Sequence, residues 1–506
     1  MSNKMYTVVP GVTVPFHNAV DFCIGTGRMG LALQKEYQDQ LALVQREIGF
    51  AHIRGHGLFS DDMAIYQERE DENGVTKVEY NFTYLDLVMD SYRALGLRPF
   101  LELGFMPAKL ASGEQTVFYW KGNVTPPKSY AGWCALVQAT LRHLMARYGA
   151  NEVVTWPVEV WNEPNLPGFW QGADKKEYFK LFDCTFSAVK NVDTRFKVGG
   201  PAVCGGSDEE WITDFLTYCA ARSIPVDFIT RHHYTTEVPE RAGHYGYAAL
   251  SNPEDGLANL HTTRAIIDSF DAYRGLPIHI TEFNTSYIPN CPLHDTNRNA
   301  AYIAHQLSRL GDDNESYSYW TFGDVFEEQG VPFTPFHGGF GLVANGCIPK
   351  PTFWTFAFYK ALKGGACVHR AKDSVVVKMP GGAYRGVCWN SALTGEAVPL
   401  DLRFTLPACE QTDWCLIQKT VDRDTCNPLR VWHDLGEPAS LSKAQRSLLA
   451  AAAQPAIATE QIAAADGAAR VALTLSADAV VYFELQPVSR TSDTGYDYDR
   501  VLRGDV

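Results

Sequence analysis

Two glutamates stand where chemistry is possible. In VEVWNEPNLPGFW (158–170) an apolar strand pattern runs through Val158, Val160 and Trp161 into Asn162 and Glu163, and Pro164 then prevents the chain from continuing a ladder. In ITEFNTSY (280–287) a second apolar run delivers Glu282 in the same manner. Two carboxylates facing each other across one pocket are the minimum apparatus for breaking a glycosidic bond. One donates a proton to the departing oxygen while the other meets the anomeric carbon. For that, Glu163 must start protonated, its pKa raised by an apolar wall and by the charge of Glu282.

Distant carboxylates meet only if the fold brings strand ends together. Short β-rich runs recur at 21–25, 49–54, 98–103, 156–162, 196–200, 226–232, 277–282 and 317–320, with helical stretches between them. Val137, Leu141, Leu144 and Tyr148 share one helix face, as do Tyr178, Leu181, Phe182 and Val189. Eight such units over 16–363 predict an α/β fold, a (β/α)8 TIM barrel with enlarged loops, whose chemistry sits where the strands finish. Glu163 ends strand four and Glu282 ends strand seven. An open doubly wound sheet is the rival, and its nearest signature is GTGRMG (25–30). No nucleotide helix with an acidic partner follows, so a turn above strand one is the better reading.

Beyond 364 the texture changes to short strands separated by Gly, Asn, Pro and Asp, which predicts an accessory β-sandwich over 364–487. An Ala-rich insert near 441–454 has helical propensity and is expected on the sandwich surface. Residues 1–15 carry a strand expected to pair with the sandwich, and 488–506 read as a loose polar tail.

Composition bounds the partners. The 506 residues carry a net charge of −14, which leaves no basic face for a nucleic acid. No apolar run approaches the ~20 residues needed to span a bilayer, so no membrane partner is expected. The start has no secretory pattern, and the 12 cysteines form no C-x-x-C pair, which together predict free thiols in the cytoplasm. His232 and His233 are adjacent on a strand and point to opposite faces, so they cannot serve one metal; no metal is expected. No cofactor is needed either, since both reacting groups are side chains. The sequence leaves the oligomeric state open.

WNEPN at strand four, TEFNTSY at strand seven, FAHIRGHGLFSDD at strand two and YWTFGDVFEE at 319–328 together resemble glycoside hydrolase family 39, the β-xylosidase family. The resemblance spans about 10–360. It implies Glu163 as acid/base, Glu282 as nucleophile and Asn162 as a partner of the sugar 2-hydroxyl. It also implies that Tyr234 orients the nucleophile, that Arg54 braces the site, and that His56, His232, Glu327 and Glu328 lie around the sugar. Trp320 would floor the pocket, and Phe118 with Trp120 could wall it. Of Glu327 and Glu328, one is expected to reach the sugar.

The implied activity is that of a retaining exo-β-1,4-xylosidase, taking xylose from the non-reducing end of xylo-oligosaccharides or from aryl β-xylosides. Long loops at about 55–80, 104–130 and 321–350 favour a closed pocket, hence exo action. The alternatives are an α-L-iduronidase, a β-glucosidase, a β-galactosidase or an arabinosidase on the same frame, or a carbohydrate-binding protein without chemistry. An iduronidase would want a basic residue at the sugar's C5 side, where the sequence offers the acidic pair Glu327–Glu328. A binding protein would lack one of the two carboxylates.

Overall fold

The computed structural model describes residues 2–332, 334–392, 398–489, 493 and 495–504. Eight parallel staves make the barrel: β1 (Cys23–Thr26), β2 (His52–Gly55), β3 (98–103), β4 (Val158–Val160), β5 (Val198–Val203), β6 (Phe228–Tyr234), β7 (Ile278–Asn284) and β8 (Ser316–Tyr319). β3 is interrupted at Phe100. Its first part pairs with β2 and its second with β4, which brings the two ends of the sheet together. The staves are short and buried along almost their whole length, as strands covered on both faces must be.

A helix follows each stave: α1 (Lys35–Glu47), α2 (Thr83–Ala94), α3 (Tyr130–Tyr148), α4 (Lys175–Val192), α5 (Thr213–Ala221), α6 (Pro253–Asp268), α7 (Asn297–Arg309) and α8 (Pro351–Ala361). Their starts are written in the sequence. Asp174 caps α4 through the amides of Lys176 and Glu177, and Asn252 with Pro253 opens α6. The α4 face of Tyr178, Leu181, Phe182 and Val189 is fully buried. The TIM barrel and its accessory β-sandwich are therefore both present.

The sandwich contains β9 (Ala366–Arg370), β10 (Ser374–Lys378), β11 (Tyr384–Trp389), β12 (Leu400–Pro407), β13 (Asp413–Val421), β14 (Ala456–Ile462), β15 (Ala468–Leu475) and β16 (Val480–Val488). Six of these form one antiparallel sheet in the order β9-β10-β11-β16-β13-β14. The other layer has three strands: the N-terminal strand Ser2–Thr7 lies parallel to β12, which is antiparallel to β15. One face of the six-stranded sheet packs into the barrel's own core through Val375, Val387, Val480 and Tyr482. The opposite face, with Val376, Val481 and Phe483, closes on Leu402, Phe404 and Val471 of the three-stranded layer.

Two details depart from the sequence reading. After a further short helix, α9 (Pro428–Asp434), the insert at 441–454 folds as α10 (Lys443–Ala452), but its buried residues do not join the sandwich core. Trp432 and Leu449 pack against Phe336, Ala344 and Ile348 of the long loop after β8. A surface helix with a bare apolar stripe needs cover, and that loop supplies it. In the tail, β16 runs to Val488 and Tyr498–Arg503 form a short helix capped by Asp497; residues 490–492, 494, 505 and 506 lie outside the described ones. All 12 cysteines are free thiols, and no helix among the described residues is long and apolar enough to cross a membrane.

Candidate active site

At the end of β4 the backbone turns sharply, with Trp161 at φ 72° and Glu163 at φ 43°. Left-handed geometry in non-glycine residues costs ~1–2 kcal/mol each and persists only where the surroundings hold it. Here Trp161 N–H donates to Leu103 O, its indole N–H donates to Phe169 O at 2.7 Å, and Glu163 N–H donates to Ala202 O at 3.0 Å. The turn swings the Glu163 carboxyl into a cavity of about 500 Å³.

Register places the partners. In the β6–β7 pair His232 stands opposite Glu282, and paired residues of parallel strands face the same side. His232 Nδ1 lies 2.8 Å from Glu163 Oε1 and 3.5 Å from Glu282 Oε2. Carboxylate oxygens of Glu163 and Glu282 come within 4.8 Å of each other. Tyr234 O–H donates to Glu282 Oε2 at 2.7 Å, and Arg54 Nη1 donates to Oε1 at 2.6 Å. The Arg54 guanidinium is wholly buried behind the cavity and also donates to Glu159 (2.7 Å) and Asn162 Oδ1 (2.9 Å), with Glu102 3.0 Å away. That fixes Asn162 with its amide nitrogen free to face the cavity.

Glu102 and Glu159 were not anticipated. They sit inside RPFLEL and WPVEVWN, where alternation with apolar residues looks like a solvent-facing position. In a closed barrel the alternate face is the interior, and register sets Glu159 beside Glu102 with Arg54 across from both. The signal available was a fully enclosed strand bearing a charge opposite an arginine on β2. One guanidinium cannot balance three carboxylates in a dry interior. Burial accordingly lifts the Glu102 pKa to about 8, Arg54 only partly opposing.

Burial also raises Glu163 to about 7, with the Arg54 charge only partly opposing. The sequence reading assigned part of that rise to Glu282, whose charge is instead met directly by Arg54. His56 and His232 are both held near 4 by burial and stay neutral at pH 7. His56 Nδ1 is 2.7 Å from Glu102, and its ring lies 4.7 Å from that of Trp320.

Of the residues singled out from sequence, His56, Asn162, Glu163, Tyr234, Glu282, Trp320 and Glu328 line this cavity, with Arg54 and His232 packed immediately behind it. Glu327 does not join them. It is drawn away by Arg28 Nη2 at 2.6 Å and by Gln34, so Glu328 is the member of the pair at the cavity. Arg28 belongs to GTGRMG, which finishes β1 and turns above it; Gly25, still within β1, is needed because a Cβ would meet Trp320 at 2.5 Å. Phe118 packs on His56 (5.9 Å) and Phe169 (5.3 Å), with Trp120 beside it, so it backs the lining and Phe169 forms the wall. Leu166 and Tyr287 also line the cavity and were not anticipated.

Glu163, His232 and Glu282 are the one group of His, Cys, Asp and Glu ligand atoms among the described residues close enough to share a cation. Their atoms are already engaged: His232 Nδ1 with Glu163, and the two Glu282 oxygens with Arg54 and Tyr234. A cation there would have to displace the guanidinium from its ion pair.

Comparison with known proteins agrees with this geometry. A β-xylosidase of Geobacillus stearothermophilus is 50% identical over 477 residues, covering 94% of each chain. A β-xylosidase of Caldicellulosiruptor saccharolyticus is 35% identical over 446 residues, covering 84% of this chain and 86% of its own. Among solved structures, a monomeric β-xylosidase from Caulobacter crescentus CB15 superposes with a TM-score of 0.87 at 31% identity, over 96% of this chain and all 100% of that one. The family model for glycosyl hydrolases family 39 matches residues 12–470, and the chain belongs to that family.

Proposed function

We propose that the chain is a retaining exo-β-1,4-xylosidase that releases xylose from the non-reducing end of xylo-oligosaccharides. The observation that carries this reading is the approach of the Glu163 and Glu282 oxygens to within 4.8 Å. Retaining enzymes hold the two carboxyl groups ~5–5.5 Å apart, whereas inverting enzymes leave ~6.5–9.5 Å for a water between them.

In the first step a Glu282 oxygen bonds to the anomeric carbon as the glycosidic C–O bond breaks. Glu163 gives its proton to the departing oxygen, leaving a glycosyl ester on Glu282. In the second, Glu163, now a carboxylate, takes a proton from water; the water oxygen bonds to the anomeric carbon and Glu282 leaves as the carboxylate. Two inversions give net retention. Arg54 and Tyr234 aim the Glu282 oxygens, His232 orients Glu163, and the Asn162 amide faces the sugar 2-hydroxyl. Preorganised donors of this kind need no rearrangement when charge develops. Trp320 supplies an apolar face for the ring.

The choice of a neutral sugar over a uronic acid rests on Glu328. Burial, then the charges of Glu282 and Glu163, raise its pKa well above the ordinary carboxyl range. It is an acidic side chain at the cavity, where a uronic acid would want a basic residue. A panel of 4-nitrophenyl glycosides tests the reading. The β-xyloside is expected to be preferred over β-glucoside, β-galactoside, α-arabinoside and α-iduronide. A hexoside or uronide preferred by an order of magnitude overturns the specificity claimed.

A further inference from the structure

Behind the cavity, Glu102, Glu159 and Glu282 share the guanidinium of Arg54. His56 stands between two of these acids. Its Nδ1 lies 2.7 Å from Glu102 Oε2, and its Nε2 lies 3.6 Å from Glu282 Oε1. The rings of Phe105, Phe118 and Trp320 pack on the imidazole at 5.8, 5.9 and 4.7 Å, which holds it in place. Burial keeps His56 neutral, so the ring carries a single proton. Which nitrogen bears it is set by what the other one meets.

Three observations answer that. Nε2 faces an oxygen of Glu282, the group that must be anionic to attack. A lone pair aimed there repels the charge, whereas an N–H stabilises it. With the proton on Nε2, Nδ1 is an acceptor, and the hydrogen in the 2.7 Å contact has to come from Glu102. Next, Glu102 Oε1 is buried with no hydrogen-bond partner among the described residues. An ionised carboxylate needs donors at both oxygens, while a carboxylic acid leaves a bare carbonyl at much lower cost. Finally, Glu159 and Glu282 take Arg54 Nε and Nη1 at 2.7 and 2.6 Å. Glu102 meets only Nη2, at 3.0 Å, and that nitrogen also donates to Asn162. A neutral Glu102 leaves this guanidinium against two anions in place of three. The upward shift of the Glu102 pKa agrees.

We propose that Glu102 is a neutral carboxylic acid whose O–H donates to His56 Nδ1, locking the imidazole in its Nε2–H tautomer and aiming that N–H at the nucleophile. Glu102 is wholly buried and does not line the cavity, so it is a positioning residue that acts through His56. The proposal rests on the assignment of Glu282 as the nucleophile.

Neutron diffraction from deuterated crystals of the unsubstituted enzyme at pH 6 reads both protons directly. Deuterium is expected on Glu102 Oε2 and His56 Nε2, with Nδ1 bare. Deuterium on Nδ1, alone or together with Nε2, would overturn the proposal, because Glu102 would then be an acceptor. Kinetics separate positioning from the filling of space. Glu102→Gln and Glu102→Met are both uncharged and similar in size, but only the glutamine amide can donate to Nδ1. On 4-nitrophenyl β-xyloside, kcat/KM is expected to be about tenfold or more higher for Glu102→Gln than for Glu102→Met. Equal values would overturn the role in positioning, and if either variant does not fold the neutron map carries the test. Failure of the unsubstituted enzyme to hydrolyse the xyloside would instead overturn the assignment of Glu163 and Glu282, and the map reads the Glu102 proton in either case.

Discussion

The proton on Glu163 is the quantity most exposed to experiment. Held at about 7 by burial, with Arg54 opposing, Glu163 is mostly protonated at pH 6 and mostly ionised at pH 8. The acid form is the one that starts the reaction, so kcat/KM for a poor leaving group, such as xylobiose, must fall as pH rises through about 7. One unit above that value roughly a tenth of the enzyme retains the proton, and the rate falls about tenfold per further unit. The assay is kcat/KM on xylobiose from pH 5 to 9. Glu163→Gln keeps the shape and removes the proton. It should cost about 10²–10⁴-fold on xylobiose and erase the alkaline limb, yet spare formation of the glycosyl ester from a dinitrophenyl xyloside, whose phenolate leaves without help. An alkaline limb in the ordinary carboxyl range, or one that survives Glu163→Gln, refutes this account of the site.

Three further outcomes are expected. Glu282→Ala should reduce turnover of every xyloside to background, because no ester can form; steady-state rates with dinitrophenyl xyloside check this, and appreciable residual turnover would reassign the nucleophile. Proton NMR during hydrolysis should show β-xylose as the first product, with the α-anomer appearing only by mutarotation; α-xylose first would contradict retention. The third concerns stability. Glu102 has a folded pKa of about 8 against an ordinary 4.5, so the folded state keeps a proton that the unfolded state has lost. Its contribution is full below 4.5, is lost as pH rises, and has cost about 3 kcal/mol by pH 7. Glu102→Gln removes that dependence, so urea unfolding should lose less stability between about pH 5 and 8 than in the unsubstituted protein; an unchanged slope would show Glu102 already ionised.

Much of the site was legible because barrel strands end abruptly. A charged residue just before a proline or a polar turn, as at Glu163 and Glu282, is conspicuous against buried apolar strands. Interior charges are not, since Glu102 and Glu159 repeat the alternation of any half-exposed strand until the sheet is known to close. Glu327 and Glu328 are neighbours with the same chemistry. Arg28, reaching over from the turn above β1, and Gln34 separate them by holding Glu327. Leu166, Phe169 and Tyr287 carry no mark in sequence, because an aromatic or leucine in a loop has the same appearance whether it lines a cavity or caps a helix. Two helix faces, at 137–148 and 178–189, were clear from their apolar spacing, but where α10 would dock was not, as its stripe could cover any apolar surface of matching size.

The six-stranded sheet is oily on both sides, one against the barrel helices and one against the layer that holds the chain's first strand. Ser2–Thr7 precedes the whole barrel in the chain, yet the strand it joins begins at Leu400. Until that partner emerges, the leading edge waits uncovered and the barrel's outer wall near α7 and α8 stays unroofed. The barrel must therefore be made in full, and the chain must reach the sandwich, before that flank is covered. Cutting the gene near residue 364 would release two fragments with sticky surfaces in place of an enzyme and a spare module.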